Sequence, residues 1–269
     1  MKKLVTFLLL TLVYLAPPLA ASAQTEIHMW MPPNWKTKSE EAQKIADVLS
    51  ERSGLKIIPR IANNYTEIMK ALSEKNPELA YVGSMVQAVI FARRLGVPLF
   101  QAWDGHQSYG GVMIFTKGAS PQSILKETPE SVAYPAGATS GEVCAKAATG
   151  GKANMVVNDF PAAAAAVIAG KAKAAFVKDI WWDANKGNYP NLDSYQVPEI
   201  SENKNPDNVM VASKFVSPEL KSILLDGALD SPKIFGAEII VPFDSSSLDF
   251  TIGLMKKAGL DPLTYSWPE

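Results

Sequence analysis

Short apolar segments alternate with amphipathic ones along most of this chain, and no other sequence feature restricts its fold as strongly. An alternating segment at 26–30 precedes helical spacing at 39–52, and an apolar segment at 55–61 precedes a helical pattern at 65–73. Strands that alternate with helices indicate a mostly parallel sheet covered by helices on both faces. Ligands of such sheets bind beyond the carboxyl ends of the strands. We therefore expect an α/β fold with its binding site in the strand-end loops.

The same alternation begins again in the middle of the chain, which indicates a second, smaller α/β unit inserted into the first. We predict that residues 24–111 and 209–269 form lobe 1 and that residues 112–208 form lobe 2. The chain then crosses between the lobes near 109–112 and again near 205–209. A ligand cleft is expected between the lobes, with the two crossings as its hinge.

The N-terminus has the pattern of a secretory signal peptide. Lys2 and Lys3 precede an apolar run at 4–15, and the small residues at 21–23 offer a cleavage site. The apolar run is shorter than the roughly 18 to 20 residues that a membrane span needs. We therefore expect residues 1–23 to be removed and the protein to be exported to the periplasm.

The composition argues against several classes of protein. The single cysteine, Cys144, excludes an intramolecular disulfide and lies too far from the cleavage site to carry a lipid anchor. His28 and His106 are too isolated to form a metal site with it, so we expect neither a metal nor another cofactor. The formal net charge of −1 and the lack of a basic cluster argue against nucleic acid as a partner. No nucleophile elbow, P-loop or zinc-protease motif is present, which argues against an enzyme.

A small-residue segment past the middle of the chain combines the features of an anion-binding loop. Gly137 and Gly141 permit a tight turn and a close approach of the backbone. Thr139 with Glu142 three residues later is a capping-box pattern, which predicts a helix that begins near Ser140. The N–H groups at such a helix start favour an anion. The alternative is a capped helix start that binds no ligand.

Several segments, in order along the chain, resemble those of one receptor family; they are 59–72, 78–83, 138–141, 166–179 and 241–262. Ala138-Thr-Ser-Gly141 stands where that family carries Ser-Thr-Ser-Gly. The chain thus resembles the phosphate/phosphonate-binding receptors of ABC transporters, which have the type II periplasmic-binding-protein fold. The resemblance implies two lobes, each a mostly parallel sheet flanked by helices, that close on an oxyanion in the cleft between them.

Position by position, the resemblance and the strand ends together imply the ligand-binding residues. In the family, the serine-rich segment donates hydroxyl and N–H groups, and the loop after the third strand faces it from the other lobe. The residues expected to contact the ligand are Thr139, Ser140 and Gly141 on one side, and Gly83, Ser84, Tyr65, Asn34, Trp35 and Tyr109 on the other.

Lys178 and Asp179 follow a predicted strand of the second unit. We expect Lys178 to direct its ammonium group into the cleft and Asp179 to orient this lysine or to bind an amino group of the ligand. Phe160 stands at the place of a family histidine. Only one of Trp181 and Trp182 can reach the cleft if their segment is extended. If both the Lys178 and Asp179 side chains reach the cleft, the matching ligand carries at least one anionic group, with a place for a cationic one, and an organic body.

The sequence therefore predicts a monomeric periplasmic receptor that delivers a small anionic or zwitterionic organic solute to an ABC permease. Phosphonates, sulfonates and similar oxyanions are the expected ligand class. One alternative is a receptor of the same fold that signals to a membrane sensor kinase. Another is an exported structural or accessory protein with a non-functional cleft.

Overall fold

The computed structural model describes residues 26–137, 139–207 and 209–267, and only the backbone of Thr139. The predicted signal peptide at 1–23 lies outside these residues. Across the described parts of the chain, no helix is both long enough and apolar enough to cross a membrane.

Helices flank two larger sheets, so the architecture is α/β as the sequence predicts. The strands are β1 (Glu26–Met31), β2 (Lys56–Ile61), β3 (Glu78–Val82), β4 (Gly96–Trp103), β5 (Ser108–Tyr109), β6 (Gly111–Thr116), β7 (Val132–Pro135), β8 (Met155–Val157), β9 (Ala174–Lys178), β10 (Leu192–Tyr195), β11 (Asn205–Pro206), β12 (Val209–Ser213) and β13 (Ile239–Pro242). The helices are α1 (Ser39–Ser53), α2 (Tyr65–Ser73), α3 (Ser84–Ala92), α4 (Pro121–Glu127), α5 (Cys144–Ala148), α6 (Phe160–Ile168), α7 (Asp179–Asn185), α8 (Pro218–Leu229) and α9 (Asp249–Lys257).

The first sheet has six strands in the order β13-β4-β12-β3-β1-β2. Strand β1 pairs in parallel with β2 and β3, whereas β12 runs antiparallel between β3 and β4. Ile27 and Met29 are fully buried on alternate positions of β1, which is the period-2 pattern that the sequence shows. They pack with Ile45 and Leu49 of α1 in one apolar cluster.

The second sheet has five strands in the order β10-β6-β9-β7-β8. Strand β7 pairs in parallel with β8 and β9, and β6 runs antiparallel to β9. One face, with Val112 and Ile114, packs against Ala163 and Val167 of α6. The other face, with Phe176, belongs to a cluster that continues through α9 into the first unit. Helix α9 packs against both α3 and α5.

Two short strands join the segments where the chain passes between the larger sheets. In this two-stranded sheet Tyr109 of β5 lies opposite Asn205 of β11, and the Asn205 side-chain amide donates to the Tyr109 carbonyl over 3.2 Å. Asn205 is fully buried and its amide oxygen accepts from the Thr251 hydroxyl at 2.9 Å. The two connecting segments are therefore hydrogen-bonded to each other.

Two local predictions differ from the structure. The segment with Trp181 and Trp182 is helix α7 and not an extended strand end, and neither tryptophan reaches the cavity described below. Trp182 is buried in the core, and Trp181 packs on Phe160 with ring centroids 5.6 Å apart. The helix predicted near Ser140 consists of a π-helical turn, Thr139–Val143, followed by α5.

Candidate functional site

A cavity of about 160 Å³ lies at the carboxyl ends of strands from both larger sheets. This is the edge where ligands bind in sheets of this kind. Its lining is Pro32, Asn34, Trp35, Tyr65, Tyr81, Val82, Gly83, Ser84, Met85, Val86, Tyr109, Gly137, Ser140, Phe160, Lys178 and Asp207. Eight of the eleven residues predicted from the sequence are among them.

A pair of hydroxyl-bearing residues at the cavity comes from the turn after β3 and from β5. Gly83 is the N-cap of α3, so Ser84 is the first helical residue, and it lines the cavity. The Ser84 Oγ and Tyr109 hydroxyl oxygens are 2.6 Å apart, and both residues are buried. This contact joins the loop after the third strand to the first crossing between the sheets.

Tyr65 occupies the first position of α2. The Asn64 side chain caps this helix by accepting from the backbone N–H of Glu67 at 3.0 Å, which fixes where the helix begins. Burial and the nearby charge of Asp207 raise the pKa of the Tyr65 phenol. The phenol is therefore a protonated hydrogen-bond donor at neutral pH.

A 3-10 turn after β1, Pro33–Lys38, places Asn34 and Trp35 at the cavity. Trp35 packs edge-on against Tyr81, with the ring centroids 5.7 Å apart and the planes at 86°. Its contribution to the wall is therefore mainly apolar.

Lys178, the last residue of β9, forms an ion pair with Asp207. The Lys178 Nζ also lies 4.3 Å from the centroid of the Tyr109 ring, which is a cation–π contact. Sequence reasoning missed Asp207, because a carboxylate in a polar loop is usually solvated. The one available signal was its position inside the predicted crossing at 205–209, where residues of both lobes meet.

Glu142 supports the backbone next to Ser140. Its buried carboxylate accepts from the Gly137 N–H at 2.8 Å, from the Tyr265 hydroxyl at 2.9 Å and from the Lys146 ammonium at 2.7 Å. Burial and the Glu142 charge raise the pKa of Tyr265, so its phenol stays protonated as a donor. The predicted capping box would have Glu142 accept from the N–H of Thr139, but in the structure it accepts from Gly137, two residues earlier. Glu142 therefore holds the backbone amide of a cavity-lining residue in place.

Two predicted residues, Asp179 and Gly141, are not among those that line the cavity. The Asp179 carboxylate accepts from the Gly110 and Ile180 N–H groups, each at 2.7 Å, and Lys178 pairs with Asp207 instead. The pKa of Asp179 is raised, because desolvation outweighs these hydrogen bonds. Gly141 packs against Pro135, where an added Cβ would lie 2.8 Å from the proline Cδ. The side chain of Thr139 lies outside the described atoms.

Cys144 lies behind the candidate site, in the core. It is completely buried, and burial raises the pKa of its thiol to about 12. A position near a helix start can favour a reactive thiolate. The burial of Cys144 has the opposite effect, so its thiol stays protonated at neutral pH.

The cavity presents mostly donors. Four hydroxyl-bearing residues, Ser84, Tyr109, Tyr65 and Ser140, line it together with Lys178. The charge of Asp207 is offset by its ion pair with that ammonium. Such a donor set suits a small oxyanion, because oxyanions accept several hydrogen bonds at once.

Comparison with known proteins gives a consistent result. The family model described as "ABC transporter, phosphonate, periplasmic substrate-binding protein" matches residues 34–231. No curated protein sequence matches the chain at a significant level.

Three solved structures illustrate the similarity of the fold. A binding-protein component of an ABC phosphonate transporter from Pseudomonas aeruginosa has a TM-score of 0.64 and 14% identity, covering 87% of this chain and 88% of that one. XAC2383 from Xanthomonas citri, bound to ATP, has a TM-score of 0.71 and 12% identity, with coverages of 88% and 98%. PhnD1 from Prochlorococcus marinus, in complex with methylphosphonate, has a TM-score of 0.65 and 15% identity, with coverages of 87% and 98%.

These structures have the type II periplasmic-binding-protein fold, which is the fold of this chain. The family model covers well over half of the sequence, and it spans most of the cavity residues. The chain belongs to the periplasmic substrate-binding proteins of phosphonate ABC transporters, and it is a solute-binding receptor that delivers its ligand to an ABC importer.

Proposed function

We propose that this receptor binds a small organic oxyanion of the phosphonate type in the cavity between its two sheets. The observation that carries the proposal is the ring of donors around a small space. Ser84, Ser140 and two tyrosine hydroxyls face the cavity, while its one acidic side chain among the described lining residues is already paired with Lys178. An oxyanion can accept hydrogen bonds from hydroxyl groups, and its binding leaves the Lys178–Asp207 ion pair intact.

The size of the cavity restricts the ligand further. Pockets for drug-sized ligands usually measure roughly 300 to 1,000 Å³, whereas this cavity measures about 160 Å³. A nucleotide such as the ATP bound to XAC2383 is too large for it. An anion with a few non-hydrogen atoms, like the methylphosphonate bound to PhnD1, is of suitable size.

A thermal-shift and calorimetric comparison of methylphosphonate, methanesulfonate, inorganic phosphate and ATP tests this proposal. We expect methylphosphonate to stabilise the protein by about 2.7 kcal/mol when it is present at 100 times its Kd. ATP should give no shift. Ser140→Ala should weaken phosphonate binding by roughly 10- to 150-fold, which corresponds to the loss of one hydrogen bond to a charged group at about 1.5 to 3 kcal/mol.

The matched control is Ser194→Ala, because Ser194 is exposed on β10 outside the cavity. This variant should bind like the parent. Failure of every small oxyanion to bind, or equal affinity of the Ser140→Ala variant and the parent, would contradict the proposed site.

We also propose that residues 24–111 with 209–269 and residues 112–208 move as two lobes about the paired strands β5 and β11. A few residues at the ends of elements absorb such hinge rotations. Small-angle scattering should show a smaller radius of gyration with saturating methylphosphonate than without it. The Ser140→Ala variant should need correspondingly more ligand for the same change. An unchanged scattering profile at saturation would count against closure.

The expected partner is the membrane permease of an ABC importer, with the receptor acting as a monomer after export through residues 1–23. Periplasmic location is the rule for this family. Signalling to a sensor kinase stays a prediction from the sequence, and no contact in the described residues favours it over import.

A further inference from the structure

The ion pair in the cavity has one partner from each side. Lys178 ends β9 of the second sheet, and Asp207 directly follows β11 in the return crossing. Their side chains are 23% and 24% exposed, so both face the cavity without being fully solvated. The Lys178 Nζ lies over the Tyr109 ring, 4.3 Å from its centroid.

These two groups carry all of the formal charge among the described residues that line the cavity. Of the described residues that line it, Lys178 is the only one with a cationic side chain and Asp207 the only one with a carboxylate. An added Cβ on Gly83 would lie 3.7 Å from the Asp207 Oδ1, so the carboxylate sits close to the turn that also carries Ser84. Asp207 is thus next to the oxyanion donors, and it is neutralised by a cation that the protein itself provides.

We infer that Lys178 is a specificity-determining residue, which makes the receptor select anions that carry no cationic group. The inference rests on the proposed function of the cavity. A ligand with an ammonium group would need a carboxylate partner in the cavity, and the described wall offers only Asp207. Such a ligand would have to displace the Lys178 ammonium, which would then be left in a partly dehydrated space without its counter-ion. The cost of displacing Lys178 makes the receptor reject ligands with an ammonium group, in addition to binding simple anions.

A pair of probes that differ by one ammonium group tests the inference. Methylphosphonate is a simple anion, and 2-aminoethylphosphonate carries the same phosphonate with a cationic end. We expect the parent protein to bind methylphosphonate at least tenfold more tightly. Lys178→Ala should reverse the order, because it removes the cation and leaves Asp207 free to bind the ligand's ammonium group. In this variant methylphosphonate binding should weaken about tenfold or more, and 2-aminoethylphosphonate binding should tighten about tenfold or more.

Asp207→Asn changes the other partner and keeps the experiment informative if Lys178→Ala does not fold. Its unpaired Lys178 should bind methylphosphonate at least as tightly as the parent does, and its affinity for 2-aminoethylphosphonate should fall further. The control is Lys186→Met, which removes another lysine–aspartate pair of the same unit, Lys186–Asp183, on the exposed surface. The ratio of the two affinities should stay at the parental value in that control.

The outcomes separate the inference from the function on which it rests. A parent that binds phosphonates but prefers 2-aminoethylphosphonate overturns the inference and leaves the proposed function standing. The same holds if the affinity ratio is unchanged in both Lys178→Ala and Asp207→Asn. A parent that binds neither probe nor any other small oxyanion overturns both.

Discussion

Replacing Glu142 with alanine is expected to lower the free energy of unfolding by about 3 kcal/mol, the low end for breaking a buried ion pair. The low end applies because the Lys146 side chain is 21% exposed and regains some hydration. The substitution also leaves the Gly137 N–H and the Tyr265 hydroxyl without their acceptor. Buried donors that lose their partners account for much of this cost. Urea unfolding measures the change as a lower midpoint at constant slope.

The series around this carboxylate gives the prediction a clear order. Glu142→Gln keeps an acceptor and should cost less than alanine, and Tyr265→Phe should cost about 1 kcal/mol for one hydrogen bond. Phosphonate affinity should fall in the same order, because Gly137 lines the cavity. Asp183→Ala removes an exposed carboxylate from an ion pair and should change the stability by less than about 1 kcal/mol. A Glu142→Ala variant as stable as Asp183→Ala would show that this network does not support the loop.

Gly111→Ala should destabilise the protein by about 1 to 3 kcal/mol or more and weaken phosphonate binding as well. A Cβ on Gly111 would lie 2.6 Å from the Cys144 Sγ, 2.7 Å from the Ser140 carbonyl oxygen and 2.8 Å from the Cys144 Cβ. Because one of these atoms is backbone, a side-chain rotation cannot relieve the overlap. The turn that carries Ser140 must move away from the second sheet, and the cavity wall moves with it.

Gly253→Ala is the matched control, since Gly253 lies inside α9 and its added Cβ would meet no atom within 4 Å apart from the adjacent backbone of its own helix. Alanine there should stabilise the helix by roughly 0.5 to 1 kcal/mol. Adding Cys144→Ala to Gly111→Ala removes only the contact with sulfur, so it should restore part of the stability and little of the affinity. If the Gly111→Ala variant has the melting temperature and the phosphonate affinity of the parent, then β6 does not approach Ser140 and Cys144 as closely as described.

The sequence predicted the α/β class because the apolar patterns of strands and helices are local. Ile27 and Met29 on one face of β1, or Ile45 and Leu49 on one face of α1, can be recognised without knowing their neighbours. The strand ends and the family resemblance together predicted half of the residues that line the cavity, including Ser84 and its turn. The family's segments, in order along the chain, supplied the rest of the fold.

What the sequence did not predict depends on contacts between distant segments. Asp179 and Asp207 are both acidic residues in polar surroundings, and only the fold decides that the first caps backbone amides while the second meets Lys178. Tyr265 lies 123 positions from Glu142, so no local pattern connects them. Trp182 was expected at a strand end, but its segment turns into a helix and buries the ring in the core.

The buried cluster that runs through α9 limits how this receptor can diversify. Leu254 and Met255 belong to the same buried cluster as Val86 of α3, Val143, and Cys144 at the start of α5. The two units therefore share this cluster, although each also has a cluster of its own. Recombination that replaced residues 112–208 with the matching unit of a distant homologue would set a foreign surface against α9 and leave gaps or overlaps there. New ligand preferences are therefore more accessible through single substitutions in the cavity wall than through exchange of whole units.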